Sequence, residues 1–335
     1  MKNQTLNKDN LEKLYQEEFK PMVPEIEQMW SEASAKFTRV RNFGLIFPLV
    51  TPILTFFFFT PPDPEIALWR YVVGFTFIAS LFLFLVLGGV KATHRNKLDI
   101  LFKPLRSKMI IACCNSIGKN MSYEKDGKNF KEFKNEMKNL FTSFDAYQSS
   151  DKIVGEIDGT PIEFFELKLF DTSKDDDGST RYHSRYVGYV IVVDIKNYPG
   201  TELAFIPNGS KFWGAKTRPK LFSGKRKVNL ESIEFEKTFD VYSNDQIMAR
   251  KFFNPAFMEY FVEFEKQIKN SEKGRKKGIH GGLIGGKFIL AVSSSLDRFE
   301  LDTKKGNVFL RKFFDDAIEE LDPIVKTVKL LKYKT

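Results

Sequence analysis

Hydrophobic and polar residues follow several distinct rhythms along this chain. In the first forty residues, Phe19, Met22, Ile26, Met29, Ala33, Phe37 and Val40 recur at steps of three and four, the seam of an amphipathic helix. Pro21 and Pro24 place the start of the regular helix near Glu25. Two uncharged runs follow, 43–60 and 71–90. As helices they reach roughly 27 and 30 Å, close to the ~30 Å hydrocarbon thickness of a bilayer. Pro61-Pro62-Asp63-Pro64-Glu65 makes a stiff turn between them, and Trp69, Arg70 and Tyr71 open the second run as interfacial anchors do. The pattern predicts a two-helix transmembrane hairpin. Helical spacing returns at Leu98, Leu101, Leu105 and Met109, breaks over the polar residues 123–127, and resumes at Phe130, Phe133, Met137, Leu140 and Phe141.

From Ser149 the period shortens to two. Residues 153–157 and 160–169, joined by Asp158-Gly159, predict a β-hairpin. Residues 171–185 are polar and predict a hairpin loop, with Lys174-Asp175-Asp176-Asp177-Gly178 at its tip. Strands are expected at 186–195 (YVGYVIVVDI), 203–207 and 235–242, and a basic loop at 208–227. Residues 244–268 predict a helix that restarts at Asn254-Pro255, with Asp245 as its N-terminal acid. A hairpin turning at Gly285-Gly286 spans 278–293, and an amphipathic helix covers 306–332. The expected fold class is α+β. It comprises an N-terminal helical arm (1–42), the transmembrane hairpin (43–90), a basic juxtamembrane helical linker (91–146) and a cytosolic domain with a mainly antiparallel sheet and packed helices (147–335).

Charge gives the hairpin a direction. The chain carries a formal net charge of +9. Lys36, Arg39 and Arg41 precede the first run, and Lys91, Arg95, Lys97, Lys103, Arg106 and Lys108 follow the second, opposed only by Asp99. The turn between the runs carries Asp63 and Glu65. The positive-inside rule then predicts a multi-pass inner-membrane protein with both termini cytoplasmic. The six bases after the second run are candidates for contact with the anionic lipid bilayer, which accounts for part of the net charge and makes nucleic acid an unlikely partner. A cleaved signal peptide is excluded by the charged forty-residue arm ahead of the first run. A second candidate is the basic loop, where Lys211, Trp213, Lys216, Arg218, Lys225, Arg226 and Lys227 mix bases with an aromatic ring. That mixture suits a membrane surface or single-stranded nucleic acid, against the blander reading of a plain mobile loop.

Catalytic chemistry has little to stand on. The only two cysteines, Cys113 and Cys114, are adjacent, so they do not bridge each other and a reducing compartment is favoured. None of His94, His183 and His280 lies near them at a ligand-like spacing, and no metal or cofactor is expected. The run from Gly278 to Lys287 lacks both the phosphate-loop spacing and a hydroxyl residue after the lysine. His183 beside Ser184 reads as an ordinary exposed histidine, and Asp175–Asp177 as solvated acids. Glu156, Glu163 and Glu166 could pair for acid–base work, but the solvated face of a half-exposed sheet explains them equally simply.

Several segments resemble the bacterial family DUF3137. They are Ser150–Gly159, Phe164-Phe165-Glu166, Tyr186–Val190, Phe235–Gln246 with Ala249-Arg250 and Asn254-Pro255 downstream, and Lys287–Val292. The resemblance extends over most of residues 10–330. It implies a bacterial membrane protein whose two-helix anchor precedes its domain, no assigned activity, and a neighbourhood of LemA-like membrane proteins as candidate partners. The expectation is a membrane-anchored binding or scaffold module that recruits a protein partner and contacts anionic lipid, with self-association through the arm as a further option. A membrane-tethered enzyme acting on lipid or a small substrate, or a membrane-perturbing effector, are the alternatives.

Overall fold

The computed structural model describes, with short gaps, residues 12–35, 104–208, 223–271, 278–294, 299 and 308–332. The chain divides into two compact units. One comprises Lys13–Met109 and Leu301–Phe313. In it the helical residues near the N-terminus pass through a π-helical turn, Tyr15–Phe19, and a 3-10 turn, Lys20–Met22. Pro21 accounts for the irregularity, because it has no N–H for the helical ladder and its ring crowds the preceding turn. The helix therefore begins ahead of Pro21 rather than at Glu25.

The other unit comprises Met1–Glu12, Ile110–Glu300 and Phe314–Thr335, and it holds a nine-stranded sheet. Its strands are β1 (Lys119–Glu124), β2 (Ala146–Ile157), β3 (Thr160–Lys174), β4 (Thr180–Asp194), β5 (Leu203–Pro207), β6 (Arg226–Val228), β7 (Phe239–Ser243), β8 (Ile279–Ile284) and β9 (Lys287–Ser293). Their order is β1-β2-β3-β4-β9-β8-β5-β7-β6. Every neighbouring pair is antiparallel. The helices are α1 (Phe130–Glu136), α2 (Ile233–Thr238), α3 (Gln246–Phe252), α4 (Pro255–Ser271) and α5 (Val308–Lys332), besides a helix over 106–115. Two tight turns fall where the sequence places them. Asp158 and Gly159 have φ of 51° and 76°, and Gly285 and Gly286 of 55° and 82°, the positive pair that a two-residue hairpin needs.

Both faces of the sheet are covered. On one, Phe165, Leu167, Val190, Val192, Ile289 and Ala291 pack with Phe133, Met137, Leu140 and Phe141 from α1 and the residues after it. On the other, Phe205 sits in a nest of rings, 5.6 Å from Phe239, 5.8 Å from Phe253, 5.5 Å from Phe261 and 6.3 Å from Phe288. Burial on both faces explains why β4 reads as an almost unbroken apolar run. β4 pairs with β9 at Gly188↔Ser293, where the chains come very close. A Cβ on Gly188 would lie 2.0 Å from the Val292 carbonyl oxygen. Gly188→Ala is expected to lower stability by about 1–3 kcal/mol, because the backbone of the ladder has to move. A urea melt with a lower midpoint and an unchanged slope checks this, and an unshifted midpoint contradicts it.

The structure corrects several expectations. Among the described residues no helix is long and apolar enough to cross a membrane. The longest, α5, alternates apolar positions with Arg311, Asp315, Asp316, Glu319 and Glu320, whereas a span needs about 20 predominantly apolar residues. Residues 43–60 and 71–90 lie outside the described residues. The two-helix transmembrane hairpin is therefore no part of the described fold, and the multi-pass inner-membrane placement that rested on it is withdrawn. What is seen instead is a large antiparallel sheet with few helices. Residues 119–124, expected as part of the helical linker running into its polar break at 123–127, form β1. The polar stretch 171–185, read as a hairpin loop, is a two-stranded ladder, since cross-strand partners such as Asp171 and Arg185 hold it without apolar alternation. Residues 235–242, read as one strand, are the end of α2 and the start of β7. The Ser232 hydroxyl accepts the Phe235 N–H at 3.2 Å and turns that chain into a helix before Phe239 resumes the strand.

Candidate functional site

Most of the sequence-predicted positions do not converge. Lys91, Arg95, Lys97 and Lys103 lie outside the described residues, while Arg106 and Lys108 sit on the helix over 106–115. In the basic loop, Lys211, Trp213, Lys216 and Arg218 are likewise outside them. Of the remainder, Lys225 is bound to Glu202 at 3.0 Å and Lys227 to Asp240 at 2.6 Å, so both neutralise carboxylates of their own sheet. Arg226 is exposed.

The acids considered for catalysis are also dispersed. Glu163 and Glu166 point to opposite faces of β3. Glu163 accepts from the buried Lys128 ammonium at 2.6 Å, and Glu166 is buried with the Ser150 hydroxyl at 3.0 Å. His183 is exposed, with its Nε2 2.8 Å from the Ser173 hydroxyl. It lies opposite Asp171, five residues along β3 from Glu166, or about 17 Å of extended chain. Asp194 pairs with Lys287 at the other end of β4. Lys128 is the centre of a partly buried network, with Glu136 at 3.0 Å and Lys287 in turn 3.2 Å from Glu136. Burial opposes the Lys128 charge, but Glu163 and Glu136 outweigh it and hold its pKa above the ordinary value. Burial likewise pushes Glu136 up, and Lys128 and Lys287 more than reverse that. This network joins α1 to the sheet. Burial raises both thiols, that of Cys114 to about 12, so neither is a nucleophile. Among the described residues no group of three His, Cys, Asp or Glu could hold a metal ion.

One concave surface does stand out, and it is built by α2 and α4. Asn254 starts α4 by accepting the Phe257 N–H at 2.9 Å. Phe257 and Phe261, with ring centroids 4.4 Å apart, turn one side of the helix into the aromatic core. Pro255, Met258, Glu259, Val262, Glu263 and Lys266, at steps of three, four, seven, eight and eleven, form a neighbouring stripe. Phe235 fixes α2, packed 5.1 Å from Phe239 and 5.5 Å from Phe253. Glu236 secures the approach by accepting the Leu230 N–H at 2.7 Å. Glu231, Ser232 and Glu234 then face the α4 stripe across a groove of about 520 Å³. Met258 and Val262 are its buried floor. Four glutamates and Lys266 are its charged groups, and Ile233, 72% exposed, stands beside it.

An ion pair spans this groove, joining Lys266 Nζ to Glu234 Oε1 at 2.6 Å. The ammonium holds the Glu234 carboxyl below the usual range, and the carboxylate raises Lys266. The α4 wall falls within the helix expected over 244–268, restarting at Asn254-Pro255. The opposing wall at 231–234 lies just ahead of the strand expected over 235–242, in a stretch where the sequence predicts no element.

Comparison with known proteins adds a family but no activity. No curated protein matches the chain. A crystal structure of the mycobacterial trehalose monomycolate transport factor A, TtfA, aligns over 66% of this chain and 94% of that one, at 10% identity and a TM-score of 0.34. A likeness at that level carries no argument. Residues 180–333 match the family described as protein of unknown function, DUF3137. The match begins at the first residue of β4, so the resembling segments at 150–166 fall ahead of it, while β4, α2, β7, α3, α4 and β9 fall within it. Over residues 180–333, a little under half of its length, the chain is similar to the DUF3137 family.

Proposed function

We propose that the sheet-containing unit is a protein-binding module and that the groove between α2 and α4 is its docking surface. The observation that carries this reading is the groove itself. It is concave, has an apolar floor at Met258 and Val262, and is built on helices fixed by the aromatic core rather than on loops. Such a surface can bury an apolar side chain of a partner and surround it with polar contacts, the usual anatomy of a recognition site. The wide separation of Glu166 from His183 argues against a hydrolytic site along β3 and β4.

Photo-crosslinking tests the reading. A benzophenone amino acid replaces Ile233 or Glu259 at the groove, or Lys174 at the far end of the β3–β4 hairpin as a control. The expected result is one protein adduct, identified by mass spectrometry, common to both groove positions and missing from the control. The purified partner should then bind the unmodified chain and fail to bind an Ile233→Arg, Glu259→Arg variant. Adducts that are absent, or equally abundant at all three positions, overturn the assignment.

A further inference from the structure

Taking that docking surface as given, we infer that the segment it receives is cationic and amphipathic, belongs to another protein, and displaces Lys266 from Glu234 on binding. The first argument is sign. The chain as a whole is basic, with a formal charge of +9, yet the groove sets four glutamates against one lysine. A cationic ligand meets repulsion over the chain at large and attraction here, so the field favours this patch for positive groups. Anionic ligands, including phosphate headgroups and nucleic acid, meet four carboxylates and are disfavoured.

The second argument is placement. Glu259 and Glu263 lie one helical turn apart on α4, about 6 Å along the axis, and Glu231 and Glu234 occupy the facing wall. The apolar floor lies between these walls. A ligand that matches carries an apolar ridge flanked by Lys or Arg on both sides, as on an amphipathic helix with cations spaced i and i+4 along each flank of its apolar stripe.

Lys266 supplies the third argument. Its ammonium lies 2.6 Å from Glu234 and is itself about half exposed, so a carboxylate of one wall already accepts a cation reaching across from the other. An incoming Lys or Arg can take that position while Lys266 swings into solvent, and Glu234 stays paired throughout. Lys266 thereby competes with the ligand and keeps Glu234 paired in the empty groove.

The test uses the full-length chain and a fluorescein-labelled Lys/Leu amphipathic helical peptide, with a counterpart carrying Glu at every Lys. Fluorescence anisotropy should give saturable one-to-one binding of the Lys/Leu peptide, weakened by added salt, and none of the Glu/Leu peptide. Glu231→Gln, Glu234→Gln, Glu259→Gln and Glu263→Gln together should weaken binding by about tenfold or more, with an unchanged circular dichroism spectrum. Lys266→Met should strengthen it by about three- to fivefold, the scale of releasing one exposed ion pair. Equal binding of the Lys/Leu peptide by the quadruple variant overturns the cationic-ligand assignment. Lys266→Met binding no tighter than the parent overturns the displacement. Groove adducts in the crosslinking experiment with no peptide binding overturn this inference and leave the docking surface standing. A concentration-dependent dimer in sedimentation velocity, dissolved by the quadruple variant, makes a second copy the occupant and overturns the assignment to another protein.

Discussion

Phe205→Ala will lower the stability of the sheet-containing unit by about 3–5 kcal/mol. Phe205 is fully buried on β5, and its ring touches partners from β7, β9, α4 and Phe253 just after α3. Gly281 on β8 lies beneath it, close enough that a Cβ there would come within 3.0 Å of the ring. Truncation therefore opens a cavity bordered by backbone and by other large rings, none of which collapses easily into it. Against a typical domain stability of about 5–15 kcal/mol, the change removes a large fraction of the total. Chemical denaturation at neutral pH measures it. A loss below about 1 kcal/mol would mean that the aromatic nest repacks freely.

Acid should destabilise the same unit through His280. The imidazole is buried on β8, edge-on to Phe141 at 5.4 Å and Tyr186 at 6.1 Å. Burial disfavours its charged form and lowers its pKa from 6.5 to about 3. Between those values the unfolded chain binds a proton that the folded chain does not. Stability is then fully present above pH 6.5 and declines as pH falls toward 3, by up to about 1.4 kcal/mol per unit, or a few kcal/mol by pH 4. Glu136, whose folded pKa is depressed, acts in the same direction as pH falls through its folded pKa. His280→Phe removes the titrating ring but keeps an aromatic group, so its stability should change less steeply over pH 4–6.5. Identical slopes in the two proteins would assign the acid sensitivity elsewhere.

What could be read from the residues depended on how local the cause was. Asp158-Gly159 and Gly285-Gly286 announced their hairpins because the turn chemistry is contained in two residues. Asp245 announced α3, where its carboxylate accepts the Ile247 and Met248 N–H groups at 3.0 and 2.9 Å. The 171–185 hairpin loop was legible, but not that its arms continue the β3–β4 ladder, because charge pairs and backbone bonds hold them without apolar alternation. The helix α2 was missed because Phe235, Phe239 and Val241 mimic a strand, and only the Ser232 cap breaks the pattern. The groove was half legible. Its α4 wall follows from helical spacing, while its α2 wall arrives from about thirty residues earlier in sequence through packing on Phe253, which no periodicity encodes. The transmembrane expectation came from uncharged length in residues outside the described structure, and nothing in the described helices supports it.

The strand order also bears on how the chain is synthesised. β4, whose residues 186–193 form an apolar run, is flanked by β3 on one side, its immediate neighbour in sequence, and by β9 on the other. Its register with β9 joins residues 188–194 to 287–293, so the second partner leaves the ribosome roughly a hundred residues later, about 5–20 s at ordinary elongation rates. During that interval the nascent chain presents an open apolar edge, the kind that pairs with other chains. A chaperone that covers residues 186–194 until β8 and β9 emerge would therefore govern the yield of this protein, and a premature stop before residue 279 would leave that edge permanently exposed.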